Sequence, residues 1–175
     1  MDLLASHFRP IGDYYERNVR EWVITLLLFP CALFFCLSRG SLTVLDQVDF
    51  ILHKAGHVIF GLLGGSFEIS GGVLMQVVLP LGLVLYFLRR AYRPGVQLTL
   101  FWLAHNLLNI SVYAADARAK KLSIDGSTRP HDWHALLTQA GLLEYDTVVG
   151  NSIFLLSIVC FGIVMLIPAL MWGDD

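Results

Sequence analysis

Residues 47–63 read QVDFILHKAGHVIFGLL. The run is apolar except where Asp49, His53, Lys54 and His57 interrupt it. An ionisable group facing lipid costs about 2.5–3.5 kcal/mol on insertion scales. Four of them in one stretch therefore predict contact with protein, water or a metal ion. Asp49, His53 and His57 stand at i, i+4 and i+8, a single stripe along a helix, with Lys54 at its flank. Such a helix needs neighbours able to cover the stripe, so the fold expected is a bundle.

A partner stripe occurs in 96–115, VQLTLFWLAHNLLNISVYAA. His105, Asn109 and Tyr113 repeat the i, i+4, i+8 spacing, and Asp116 continues the face. Neither stripe can face lipid, so the two are expected to face each other. Two imidazoles four residues apart on a helix can ligate one ion. His53 and His57 are the first metal candidates, and Asp116 or His105 is the natural third ligand. Asp49, Asn109 and His131 are further polar residues of the site.

The rest of the chain fits a membrane setting. Its 175 residues suit one domain, 56% of them are hydrophobic, and only 15% are charged, against about 25% in soluble domains. Mean hydropathy is +0.65. Five spans are expected, near 22–38, 47–63, 71–88, 96–115 and 148–171, in an all-α polytopic membrane bundle occupying 1–175. Pro30 and Pro80 should kink their helices. Residues 1–21 read as an interfacial helix, with Tyr14, Tyr15 and Trp22 near the headgroups, and no cleavable leader is expected. The polar stretch 116–147 should carry a second interfacial helix from Pro130, marked by Trp133 and including His131 and His134. GLLGG, 61–65, has the small-residue spacing of a close helix contact, and Gln76 is suited to a bond across the bundle.

Cys31, Cys36 and Cys160 lie in apolar runs without metal spacing and read as packing residues. No long basic run points to nucleic acid; the expected partners are membrane lipid and other membrane subunits. Five spans place the termini on opposite sides, and the lysine and arginine distribution favours a cytoplasmic N-terminus.

HKAGH, the glycine-rich turn after it, GGVLMQVVLP and the later polar helix resemble the site-2 protease-like intramembrane zinc metallopeptidases. The wider set, running through HN, DARA and HDWH, resembles small bacterial membrane proteins grouped near that family and covers about 50–140. The resemblance implies a bacterial inner-membrane protein with zinc on His53 and His57. It also implies a water-polarising glutamate where this chain has Lys54, and an aspartate ligand where Leu108-Asn109-Ile110 has Asn109. Both departures remove a negative charge. A charged lysine cannot act as the carboxylate base, and asparagine is a weaker ligand. The expectation is therefore a protease-like protein without hydrolysis, serving as a scaffold, regulator or accessory subunit. Two alternatives stand beside it: an active zinc enzyme with a non-standard base, and a subunit holding haem or a chlorophyll-type pigment on residues such as His57 and His105.

Overall fold

The computed structural model describes residues 11–39, 41, 43–122 and 131–170. Among them there is no strand. The helices are α1 (Ile11–Leu37), α2 (Val44–Gly61), α3 (Ser66–Arg89), α4 (Arg93–Ala115), α5 (Asp132–Gln139) and α6 (Asp146–Leu170), with a 3-10 turn at Leu143–Tyr145 before the last. The all-α bundle is as expected. Residues 1–10 of the expected N-terminal interfacial helix, 123–130 and 171–175 lie outside the described residues. From Ile11 onward that segment continues without a break into the first span.

Four segments are long and apolar enough to cross a membrane: Val19–Leu37, Ser66–Arg89, Arg93–Ala115 and Leu143–Ala169. The expected fifth, α2, is not among them. It has 18 residues and carries Asp46, Asp49 and Lys54. Its placement differs as well. Val44 and Leu45 stand beside Pro30, Cys31, Phe34 and Phe35, lining one apolar crevice with them. The chain therefore leaves α1, turns back and starts α2 at the depth of Pro30. An acidic residue in the first turn suits that start, since Asp46 lies at the positive end of the helix dipole and accepts from the Thr43 N–H.

α4 lies at the centre, with more than half of its apolar window buried. Phe101, Ala104, Leu107 and Leu108 pack with Cys160, Phe161 and Val164 of α6 and with Ala32 of α1. The Ser157 hydroxyl donates to the Ala104 carbonyl at 2.7 Å, a bond that suits helices held close in an apolar medium. The Gln97 amide donates to the Thr25 hydroxyl at 2.9 Å, and Phe35 meets Phe101, so α1 and α4 run in the same direction. Arg39 donates to Asn151 at 3.1 Å and Arg118 pairs with Asp146 at 2.7 Å, which puts the end of α1, the end of α4 and the start of α6 at one end of the bundle.

The turn between α2 and α3 is shorter than expected. Gly64 and Gly65 adopt φ of +67° and +59°, a region open to glycine, and α3 begins at once at Ser66. GLLGG is thus mostly a turn. The close helix contact lies elsewhere, where Gly56 of α2 meets Gly71 of α3. A Cβ on Gly71 would lie 2.7 Å from the Gly56 carbonyl oxygen.

Replacing Gly71 by alanine should force α2 and α3 apart and destabilise the protein by about 1–3 kcal/mol. Gly82→Ala, on the same helix but facing open space, should leave stability unchanged or slightly raised. Thermal unfolding of the two variants in the same detergent checks the contrast.

Candidate metal centre

The stripes on α2 and α4 face each other through Asp49. Its side chain is 1% exposed and accepts three hydrogen bonds. Trp102 Nε1 donates to Oδ1 at 2.8 Å, while His105 Nδ1 at 2.7 Å and Asn109 Nδ2 at 2.8 Å donate to Oδ2. The other nitrogen of His105 stands 3.8 Å from Asp46 Oδ1. Phe35 closes over the imidazole, ring centroids 4.5 Å apart. Each of the three bonds to Asp49 has a donor hydrogen, while Asp46, Asp49 and His105 also bring three possible ligand atoms within 4.8 Å of one another.

One turn further along α2 the pattern inverts. His57 Nδ1 lies 2.7 Å from the Glu68 carbonyl oxygen, and His53 Nδ1 lies 3.0 Å from Gln76 Oε1. Both partners accept, so a neutral ring bonded to either would carry its hydrogen on Nδ1. The two Nε2 atoms of the neutral rings then present bare lone pairs. They point at each other across 3.1 Å and at Oδ2 of Asp132, 3.0 Å from His53 and 3.1 Å from His57. In that tautomer three acceptors converge on one point with no hydrogen between them. That is unfavourable unless a cation lies there.

The triangle fits a tetrahedral ion. Zinc bonds of about 2.0–2.1 Å place neighbouring ligand atoms about 3.3–3.4 Å apart, within a few tenths of an ångström of the separations here. The second ring nitrogens bonded to oxygen acceptors are the usual support of metal-ligating histidines. Gly72 supplies the space: any Cβ there would overlap the His53 ring. No side chain on α3 other than hydrogen fits at that level.

Asp132 was not singled out by the sequence. It is the first residue of α5 and sits between His131 and His134 in HDWH. Asp116, the expected third ligand, lies outside the triangle. α4 ends at Ala115, and the chain turns so that Asp116 accepts from the Leu122 N–H at 2.7 Å and faces His131 Nε2 at 3.5 Å. His105, Asp49 and Asn109 form the neighbouring cluster rather than ligating with the histidines. His131 stacks on Tyr113, centroids 4.0 Å apart, and Tyr113 stands edge-on to His53 at 6.3 Å. Burial pushes the His131 imidazole below its ordinary pKa, against the pull of Asp116 and Asp132. His134 Nδ1 donates to the Ala117 carbonyl at 3.0 Å, anchoring α5 beside the end of α4. Lys54 is exposed and its ammonium lies over the Phe50 ring at 4.4 Å.

No family model, curated protein or solved structure matches this chain. The case for a site rests on the chain's own geometry.

Two substitutions separate the clusters. Gly72→Ala should displace the His53 ring and weaken zinc binding by about tenfold or more, read by competition with a chromogenic chelator. Asp49→Ala should strand His105 and Asn109 without their acceptor and lower stability by about 3–5 kcal/mol, read by denaturant unfolding. Asp49→Asn, which keeps the shape, should cost less.

Proposed function

We propose that this chain is a membrane metalloprotein that holds one zinc ion on His53, His57 and Asp132 without peptidase activity, and that it acts as a scaffold or regulatory subunit of a membrane complex. The observation that carries the reading is the convergence of His53 Nε2, His57 Nε2 and Asp132 Oδ2 within 3.1 Å of one another. A proton on one Nε2 relieves one or two of the three close contacts; a divalent cation relieves all of them. The two-histidine, one-carboxylate donor set is that of catalytic zinc sites.

Loss of hydrolysis is supported by Lys54. Hydrolytic sites of the H-E-x-x-H type place a glutamate next to the first histidine to activate the metal-bound water. In α2 that position is a lysine, turned outward over Phe50, and the helix contains no glutamate. An active enzyme is the second reading, favoured by one feature: three protein ligands leave a fourth position open. The haem reading lacks comparable support, because both nitrogens of His105 face carboxylates.

Elemental analysis of the full chain purified in detergent should find about one zinc per molecule. His53→Ala, His57→Ala and Asp132→Ala should each abolish it, and Asp116→Ala should not. A metal-free protein that also fails to take up added zinc would sink the reading. Lys54→Glu should restore a base and give chelator-sensitive cleavage of membrane-protein substrates. The same cleavage by the unmodified chain would select the active enzyme.

The bacterial inner membrane is the proposed location, as the sequence resemblance implies. With α2 entering and leaving at one end, the chain crosses four times, and the 62–65 turn and the 90–92 turn lie on opposite faces. Single cysteines at Gly64 and Arg90, in a background lacking the native three, should react with an impermeant maleimide from opposite sides of sealed vesicles. Labelling from the same side would contradict the four-crossing topology. Labelling of Arg90→Cys from the cytoplasm would support a cytoplasmic N-terminus.

A further inference from the structure

We infer that α5 is a latch operated by the metal: cation binding at the triangle clamps the helix onto the bundle, and cation release frees it. The inference rests on the zinc reading above and concerns the regulation of that same site. It follows from how unequally the three ligands are held. His53 and His57 belong to α2, an 18-residue helix fastened by the Gly56–Gly71 contact and by the three hydrogen bonds to Asp49. Asp132 belongs to α5, which has eight residues. A helix that short is not stable by itself and depends on what it docks against.

Its docking surface is small. Leu137 is the buried residue of the helix proper, His131 is buried at its N-cap, and Thr138 and Gln139 face outward or lie near the edge. Among the described residues, the polar and ring contacts that hold it include the His134–Ala117 bond, the His131–Tyr113 stack, the His131–Asp116 contact and the Asp132 contacts with the two histidines. The last of these depends on occupancy. With a cation in the triangle, Asp132 is drawn to α2. With the triangle empty, Asp132 keeps no more than its own contacts with the two rings at 3.0 and 3.1 Å, and the bridge through the ion is gone. Any free energy of binding that requires α5 in place must, by linkage, stabilise α5 in place.

The test is amide hydrogen exchange on the chelator-stripped full chain in lipid nanodiscs at neutral pH, with and without added zinc, beside a measurement of bound zinc on the same samples. Saturating zinc should slow exchange across 132–139 by about tenfold or more, toward a limit set by the ratio of free zinc to its dissociation constant, and leave the middle of α4 and α6 unchanged. Asp132→Ala and the closer mimic Asp132→Asn should each remove the zinc-dependent slowing. His134→Ala should raise α5 exchange with and without zinc while keeping the zinc-dependent ratio. Stoichiometric zinc with no change in α5 exchange would overturn the latch and leave the metal site standing. Failure to bind zinc at all would overturn both.

Discussion

A carboxylate enclosed among apolar helices is tolerable only when donors replace the water it has lost, and Asp49 is enclosed almost completely. Three side chains of α4 provide the replacement, from Trp102, His105 and Asn109. The requirement fixes more than one residue. It sets the rotation of α2 about its axis, because no other rotation brings Asp49 to those donors. It also sets the height of α2 against α4, because the donors span two turns. His53 and His57, one and two turns beyond Asp49 on the same face, then have no freedom over where they point. The metal triangle is a consequence of where that buried charge is satisfied.

The two polar clusters use similar residue types to opposite effect. Around Asp49 each carboxylate oxygen meets an N–H. Around His53 and His57 the hydrogens are drawn outward, to Gln76 and to the Glu68 carbonyl, and the inner side is left with lone pairs. The partners of the two Nδ1 atoms make the difference, and both come from α3. A helix that contributes no ligand thus helps orient both rings of the triangle.

Much of this was legible in the sequence because it rests on periodicity. The i, i+4, i+8 stripes on α2 and α4, and the inference that they must face each other, need only helical geometry and the cost of placing charge in lipid. What the stripes could not give was the third partner of the histidines. Asp132 lies on a separate eight-residue helix, and its approach depends on the path of the chain after Asp116, which no periodicity records. Asp116 had the right angle on the α4 face but falls one residue past the helix end, where the backbone turns it away. The span count failed for a related reason. Residues 47–63 are long enough to cross, but the depth at which α2 begins is set by the fold-back after α1 against Pro30 and Phe34. The small-residue motif at 61–65 marked a turn, and the intimate contact formed instead at Gly56 and Gly71, one on each side of that turn.

The fold-back has a geometric outcome for the site. Because α2 starts at mid-depth and returns to the end it came from, the α2–α3 turn, the end of α4 and the whole of α5 gather at one end of the bundle, and the triangle lies among them. The opposite end is formed by the α3–α4 turn with its arginines and contributes nothing to the ligand set. The centre is therefore sided. Its three groups lie toward one end of the bundle alone, and Phe35 covers the His105 ring on the inner side.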